Sequence, residues 1–186
     1  MSISEEEKKI LISIAAQAIA EKLDPGFISS PVLPDLSENL QYRCGAFVSV
    51  YVGGELRGCI GTFSEEEPLY INVGNMAVSA ATEDSRFIPI QANELSRLEL
   101  EISVLTPRKR ISDPSEIIIG KHGIYLKHGL NRGTLLPQVA VKQEWNPVEF
   151  LGNCARYKAG IGWDGWKKAE IYTYEAIVFR SGMPKL

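Results

Sequence analysis

The chain has 186 residues, 45% of them apolar and 23% charged, with 16 glycines and 10 prolines, which is close to the globular average and excludes a collagen-like, fibrous or wholly disordered chain. Net charge is −3 at pH 7, and no apolar run approaches the roughly 20 residues of a membrane-spanning helix. The acidic start, Ser2-Ile3-Ser4-Glu5-Glu6-Glu7, lacks the form of a secretory or transit peptide, so the expected home is the cytoplasm.

The first predicted element is a helix. Ser4-Glu5-Glu6-Glu7 reads as a capping box, Ile10, Leu11, Ile14, Ala15, Ala18 and Ile19 recur at helical spacing, and Asp24-Pro25-Gly26 stops the run. Residues 25–43 hold three prolines and little periodicity, and read as a long irregular stretch, the kind that is often functional or mobile. A hairpin follows, with strands at 44–52 and 55–63 joined by Gly53-Gly54. Ser64-Glu65-Glu66-Glu67 looks like a second capping box opening a helix that ends near Asp84. Residues 98–106 alternate apolar and acidic side chains, a half-buried strand closed by Pro107. Asp113-Pro114-Ser115-Glu116 begins a short helical turn, 123–127 is a short strand, and 135–141 is a strand or extended run with Pro137 placing it at an edge. Asn146-Pro147 starts a helix with Phe150, Leu151, Cys154 and Tyr157 as its apolar stripe and Gly160 near its C-terminus. Residues 170–180 form the last and longest strand. Hairpins and alternating strands favour mainly antiparallel pairing with flanking helices, hence an α+β fold.

Charge is unevenly distributed. Residues 1–106 hold 7 Lys/Arg against 16 Asp/Glu, whereas 107–158 hold 9 against 4. A basic segment can face a polyanion, a protein partner, or the acidic half of its own chain. Cys44, Cys59 and Cys154 are odd in number and widely spaced, and His122 and His128 stand six apart. Neither a disulfide framework nor a zinc site is predicted, and no metal or cofactor is expected.

The hexapeptide Leu56-Arg57-Gly58-Cys59-Ile60-Gly61 resembles the central motif of the AMMECR domain, named for the AMME-syndrome chromosomal region. Its bacterial and archaeal members are called AmmeMemoRadiSam system protein A. Asp84-Ser85-Arg86-Phe87-Ile88-Pro89, Ile102-Ser103-Val104-Leu105-Thr106-Pro107, Gly120-Lys121-His122-Gly123, Leu136-Pro137-Gln138-Val139, Trp145 and Lys158-Ala159-Gly160 resemble further family segments in the same order, with departures at Ser85 and Ile161. The resemblance spans about residues 10–180 and implies one domain over 1–186, an α+β fold with a larger subdomain and a smaller one packed on it. It also implies two partners, a Memo-like protein related to metal-dependent extradiol dioxygenases and a radical S-adenosylmethionine protein. It implies no particular reaction, and whether the chain is an enzyme stays open.

The residues themselves offer candidates. Strand alternation would place Arg57, Cys59, Gly61 and Phe63 on one face, where the Arg57 cation would favour a reactive Cys59 thiolate. Gly58 and Gly61 would let a backbone or a ligand approach closely. The competing reading is a structural cysteine beside a paired arginine, since a catalytic thiol needs a nearby base. Asp84 and Arg86 are a ligand-binding pair or an ion pair fixing a helix exit. Lys121 and His122, in a glycine-bracketed turn, are an anion-binding lysine with a titratable imidazole, or a polar hairpin turn. Cys44 and Cys154 read as core.

Three functions follow. The preferred one is an accessory or binding component of the Memo-linked system, holding a partner or a small-molecule or peptide ligand near residues 56–61. The alternative is an enzyme using the Cys59 thiolate with Arg57 as anion anchor. The third is a polyanion-binding module around Arg108-Lys109-Arg110, which lacks recognition motifs and stacking aromatics and so makes nucleic acid a poor partner.

Overall fold

The computed structural model describes residues 1–24, 26–27 and 36–181. The chain divides into two compact units, Met1–Leu105 with Ile177–Leu186, and Thr106–Ala176. Both carry an antiparallel sheet with helices, so the fold is α+β.

The first unit opens with α1, Glu5–Leu23, whose N-terminus closes as expected: Ser4 Oγ accepts the Glu7 N–H and the Glu7 carboxylate accepts the Ser4 N–H. Leu11, Ala15 and Ile19 are its fully buried stripe. The irregular stretch expected over 25–43 lies largely outside the described residues. Within its described end, Ser37 caps a four-residue helix, α2, Glu38–Gln41. Ser37 and Asn39 also reach back to donate to the Glu7 carboxylate.

Strands β1, Ala46–Val52, and β2, Glu55–Thr62, form the expected hairpin. Gly53 and Gly54 have φ of +59° and +85°, the left-handed pair that a two-residue turn with the right twist requires. Helix α3, Leu69–Thr82, and strand β3, Leu98–Leu105, complete the central layer with a 3-10 helix over Ala92–Arg97 between them. With the last strand, β8, Ala176–Arg180, the sheet order is β2-β1-β3-β8, which leaves β2 on an edge. Val48, Val50, Leu100 and Ile102 face α1 and α3 in a fully buried core.

The second unit has the sheet order β4-β7-β5-β6, built from β4, Lys109–Ile111, β5, Gly123–His128, β6, Asn131–Leu135, and β7, Glu170–Tyr174. Helices α4, Pro137–Lys142, and α5, Pro147–Tyr157, and 3-10 turns at Pro114–Glu116 and Trp163–Lys168 accompany it. Phe150, Leu151 and Cys154 on α5 are fully buried against Ile124 and Leu126 of β5.

Four expectations are corrected. Ser64 does not cap a helix: a helix begun there would carry Pro68 in its interior, and proline also disfavours the helical region for Glu67. Instead Ser64 Oγ accepts the Glu66 N–H in a local turn, and α3 starts only at Leu69, with Pro68 as its N-cap. Of residues 135–141 only Leu135 is strand, as the end of β6; Pro137 occupies the first turn of α4, where its missing N–H costs nothing. The run 170–180 is two strands in different sheets, broken at Glu175, whose N–H donates to Thr106 Oγ1 and whose carbonyl accepts the Thr106 N–H. Tyr157 is not part of the buried stripe; it is 67% exposed at the end of α5, beneath the Arg156 guanidinium.

Candidate functional site

The hexapeptide lies along β2, and its alternation is interrupted. Ser49 pairs with Cys59 and Val50 with Gly58, but Tyr51 pairs with Leu56, so Arg57 is the extra residue of a β-bulge. Cys59 and Gly61 share a face as expected, and only the place of Arg57 is corrected, Leu56 standing on that face instead. Register places Leu56, Cys59 and Gly61 opposite Tyr51, Ser49 and Phe47 on the outer face of the sheet. Gly58 and Ile60 stand opposite Val50 and Val48 on the core side.

Arg57 is engaged through both terminal nitrogens. Nη1 and Nη2 donate to the two carboxylate oxygens of Glu94, at 2.5 and 3.5 Å, and Nη2 also donates to the Ile88 carbonyl at 3.2 Å. The Arg57 guanidinium, and then the Gln91 N–H, hold the Glu94 carboxyl below its usual range. The Cys59 thiol, half-buried, accepts a hydrogen bond from Ser49 Oγ at 3.2 Å. Across β1, Ser49 pairs in turn with Glu101 of β3, so thiol, hydroxyl and carboxylate side chains stand in one row over three strands. Ser49 and Glu101 were missed in the sequence; laying the three strands in register is the signal that finds them.

The two glycines are used by the chain itself. A Cβ on Gly58 would lie 1.8 Å from the Ala80 carbonyl oxygen of α3, and one on Gly61 would lie 2.2 Å from the Phe47 ring. Gly58 thus lets a helix backbone approach a strand, and Gly61 makes room for a ring that also packs edge-on against Phe63 at 4.9 Å.

Asp84 and Arg86 close the free edge of β2. The Cys59 N–H donates to Asp84 Oδ2 at 2.8 Å, and Arg86 Nη2 donates to the Cys59 carbonyl at 2.9 Å. Arg86 Nε and Nη2 donate to the two oxygens of Asp84, at 2.9 and 2.7 Å. The Arg86 guanidinium, followed by the Cys59 N–H, holds the Asp84 carboxyl far below the usual carboxylate range. Two side chains here do what a neighbouring strand would do, satisfying the edge backbone and blocking unwanted pairing. The pair fixes the helix exit and clamps the hexapeptide at once.

Lys121 and His122 belong to the second unit. The turn before β5 carries Gly120 at φ +84°, and the Ile118 N–H donates to His122 Nδ1 at 3.1 Å. Lys121 Nζ lies 3.3 Å from Glu175. Both residues line a cavity of about 300 Å³ together with Thr106, Lys109, Glu116 and Glu175. Of the remaining cysteines, Cys44 and Cys154 are core, and burial pushes their thiols up to about 11 and about 12. Among the described residues no group of three or more His, Cys, Asp or Glu could hold a metal ion, and no helix is long and apolar enough to cross a membrane.

The AMMECR1 family pattern matches residues 12–179 of this chain. The chain belongs to the AMMECR1 family. A protein from Methanopyrus kandleri is 38% identical, covering 97% of this chain and 91% of its own length. One from Methanosarcina barkeri is 37% identical, over 91% and 90%. An uncharacterized protein from Pyrococcus horikoshii, known from its crystal structure, superposes with a TM-score of 0.79 at 33% identity, over 98% of this chain and 95% of its own. The hexapeptide at 56–61 and the Asp84–Arg86 segment, separate in the sequence, are here two halves of one hydrogen-bonded unit.

Proposed function

We propose that this AMMECR1 protein is an accessory component that docks a Memo-like protein, and acts with it and a radical S-adenosylmethionine protein, through the edge formed by β2 and the segment after α3. One observation carries the reading. The charged groups of this edge neutralise one another, Arg57 with Glu94 and Asp84 with Arg86, while the apolar Leu56 and Ile88 stand 40% and 77% exposed beside them. An edge whose central charges are paired and whose apolar side chains are uncovered is suited to burying a partner surface. The decisive experiment is binding between the purified full chain and purified Memo-like and radical S-adenosylmethionine proteins from the same organism. Replacing Leu56 and Ile88 together with Asp should weaken capture of the Memo-like protein at least about tenfold, the scale of a small anchor cluster. Capture unchanged by the double replacement removes the edge from the interface, and its absence with the native chain removes the reading.

The Ser49–Cys59 hydrogen bond favours a second reading, thiol chemistry on the outer face of the sheet. Iodoacetamide followed by peptide mass analysis tests it. Cys59 should be modified in the native chain, while Cys44 and Cys154, fully buried, react only after unfolding. A Cys59 as inert as the other two ends the thiol reading.

A further inference from the structure

We propose that the cavity of the second unit is a binding site for the oxyanion group, carboxylate or phosphoryl, of a small polar molecule. The cavity holds about 300 Å³, at the small end of ligand pockets and too little for a peptide or a nucleic-acid strand. Its hydroxyl groups and the Glu116 carboxylate are engaged by the chain itself, whereas its nitrogen donors are engaged only in part. Glu116 Oε1 accepts the N–H groups of Ser112 and Asp113. Thr106 Oγ1 accepts from the Glu175 N–H, Thr173 Oγ1 donates back to the Lys109 carbonyl, and Tyr174 OH donates to the Leu135 carbonyl.

The donors are differently placed. Lys109 Nζ has no ion-pair partner among the described residues, and Lys121 Nζ, with three N–H groups, meets Glu175 alone. His122 accepts at Nδ1, so the proton of its neutral ring sits on Nε2, which has no partner among the described residues. A cavity with three donors to spare suits a ligand group that only accepts, and an oxyanion is that group. The lining sets Lys109 and Lys121 against Glu116 and Glu175, with Glu116 already accepting two backbone N–H groups and Glu175 already paired to Lys121. Glu175 holds Lys121 at the cavity and accepts from a hydroxyl or ammonium elsewhere on the same ligand.

The chain has two histidines, which makes proton NMR a direct test. His128, at the far end of β5 with Nδ1 3.2 Å from the Lys168 carbonyl oxygen, serves as the internal control. The full chain is titrated separately with inorganic phosphate and with acetate at fixed pH and ionic strength. The His122 ring signals should shift saturably with at least one anion while those of His128 stay in place, and the anion that saturates identifies the headgroup. Lys109→Gln and Lys121→Gln, both at exposed positions and checked by thermal melts, should each weaken that binding about five- to tenfold, as loss of a charge-assisted contact does. The proposal is overturned if neither anion shifts His122, if both histidines drift together without saturation, or if binding survives both replacements unchanged.

Discussion

The β2 edge and the cavity of the second unit each gather charged side chains, and they use them in opposite ways. At the edge the four charges around the hexapeptide are paired within the same unit: Arg57 is closed by Glu94 and Ile88, Asp84 by Arg86 and the Cys59 N–H. In the cavity, Lys109 Nζ and His122 Nε2 have no partner among the described residues. The hexapeptide attracts attention in the sequence because it combines Arg, Cys and two Gly residues, yet much of that composition is spent on packing. The quieter Gly120-Lys121-His122-Gly123 turn is where donors are left over. How conspicuous a segment is in the sequence and how ready it is for a ligand are therefore separate properties, and perturbing each region separates them.

The largest effect is expected at Gly58. Its Cβ would stand 1.8 Å from the Ala80 carbonyl oxygen, a backbone atom of α3 that moves only if the helix shifts against the sheet. Gly58→Ala should cost about 3 kcal/mol or more, the range of severe overpacking. Gly61→Ala meets the Phe47 ring, which can turn aside, and the Ala46 carbonyl oxygen of β1 at 2.7 Å, which yields only by a smaller backbone shift, so about 2 kcal/mol is expected. Urea denaturation of the two variants gives the comparison, and equal costs would mean that Gly58 is not the closer approach.

Next in size is Asp84→Asn. The amide keeps one acceptor oxygen but sets an NH2 group against Arg86 or the Cys59 N–H, at a cost of about 1–3 kcal/mol. The same group gives a pH dependence. Asp84 is held below its ordinary range by Arg86 and Cys59. At Glu7 burial pushes the carboxyl up, but donation from Ser37, Ser4 and Asn39 outweighs it and holds the group down to about 2. Both folded values lie below the unfolded ones, so their stabilisation is complete above about pH 4.5 and is lost as the pH falls toward 2. Denaturation midpoints measured down that range should fall steeply in the native chain and less steeply in Asp84→Asn. Parallel curves would mean that Asp84 is not one of the groups responsible.

Legibility in the sequence follows the same division. Elements set by local chemistry are readable: the Ser4 capping box, the Gly53-Gly54 hairpin, the alternation of β3 and the Asn146-Pro147 helix start all form. The failures occur where two local signals compete. Ser64-Glu65-Glu66-Glu67 repeats the Ser4 pattern, but Pro68 follows it and prevails. Pro137 suits an edge strand or a helical first turn, and the sequence does not rank them. Strand β6, Asn-Arg-Gly-Thr-Leu, has no alternation to read, and the bulge at Arg57 leaves no local mark. Among the candidates, Asp84 and Arg86 are visible as a pair, but their target is the Cys59 backbone, which carries no side-chain signal. The Ser49–Cys59–Glu101 row needs the pairing of three strands, and pairing is a long-range property.

The smallest effect is the most diagnostic. Arg57 and Glu94 are only 22% and 21% exposed, so Arg57→Gln strands a half-buried carboxylate and should cost about 1–2 kcal/mol. Lys121 and Glu175 are 54% and 46% exposed and 3.3 Å apart, a solvated pair whose attraction is screened and offset by side-chain entropy. Lys121→Gln should therefore change unfolding stability by less than about 0.5 kcal/mol. A lysine that costs little to remove from the fold, yet weakens anion binding when removed, is held for a ligand rather than for the structure. Should Lys121→Gln destabilise the chain as much as Arg57→Gln, the cavity would be another internally satisfied cluster, and the contrast between the two regions would collapse.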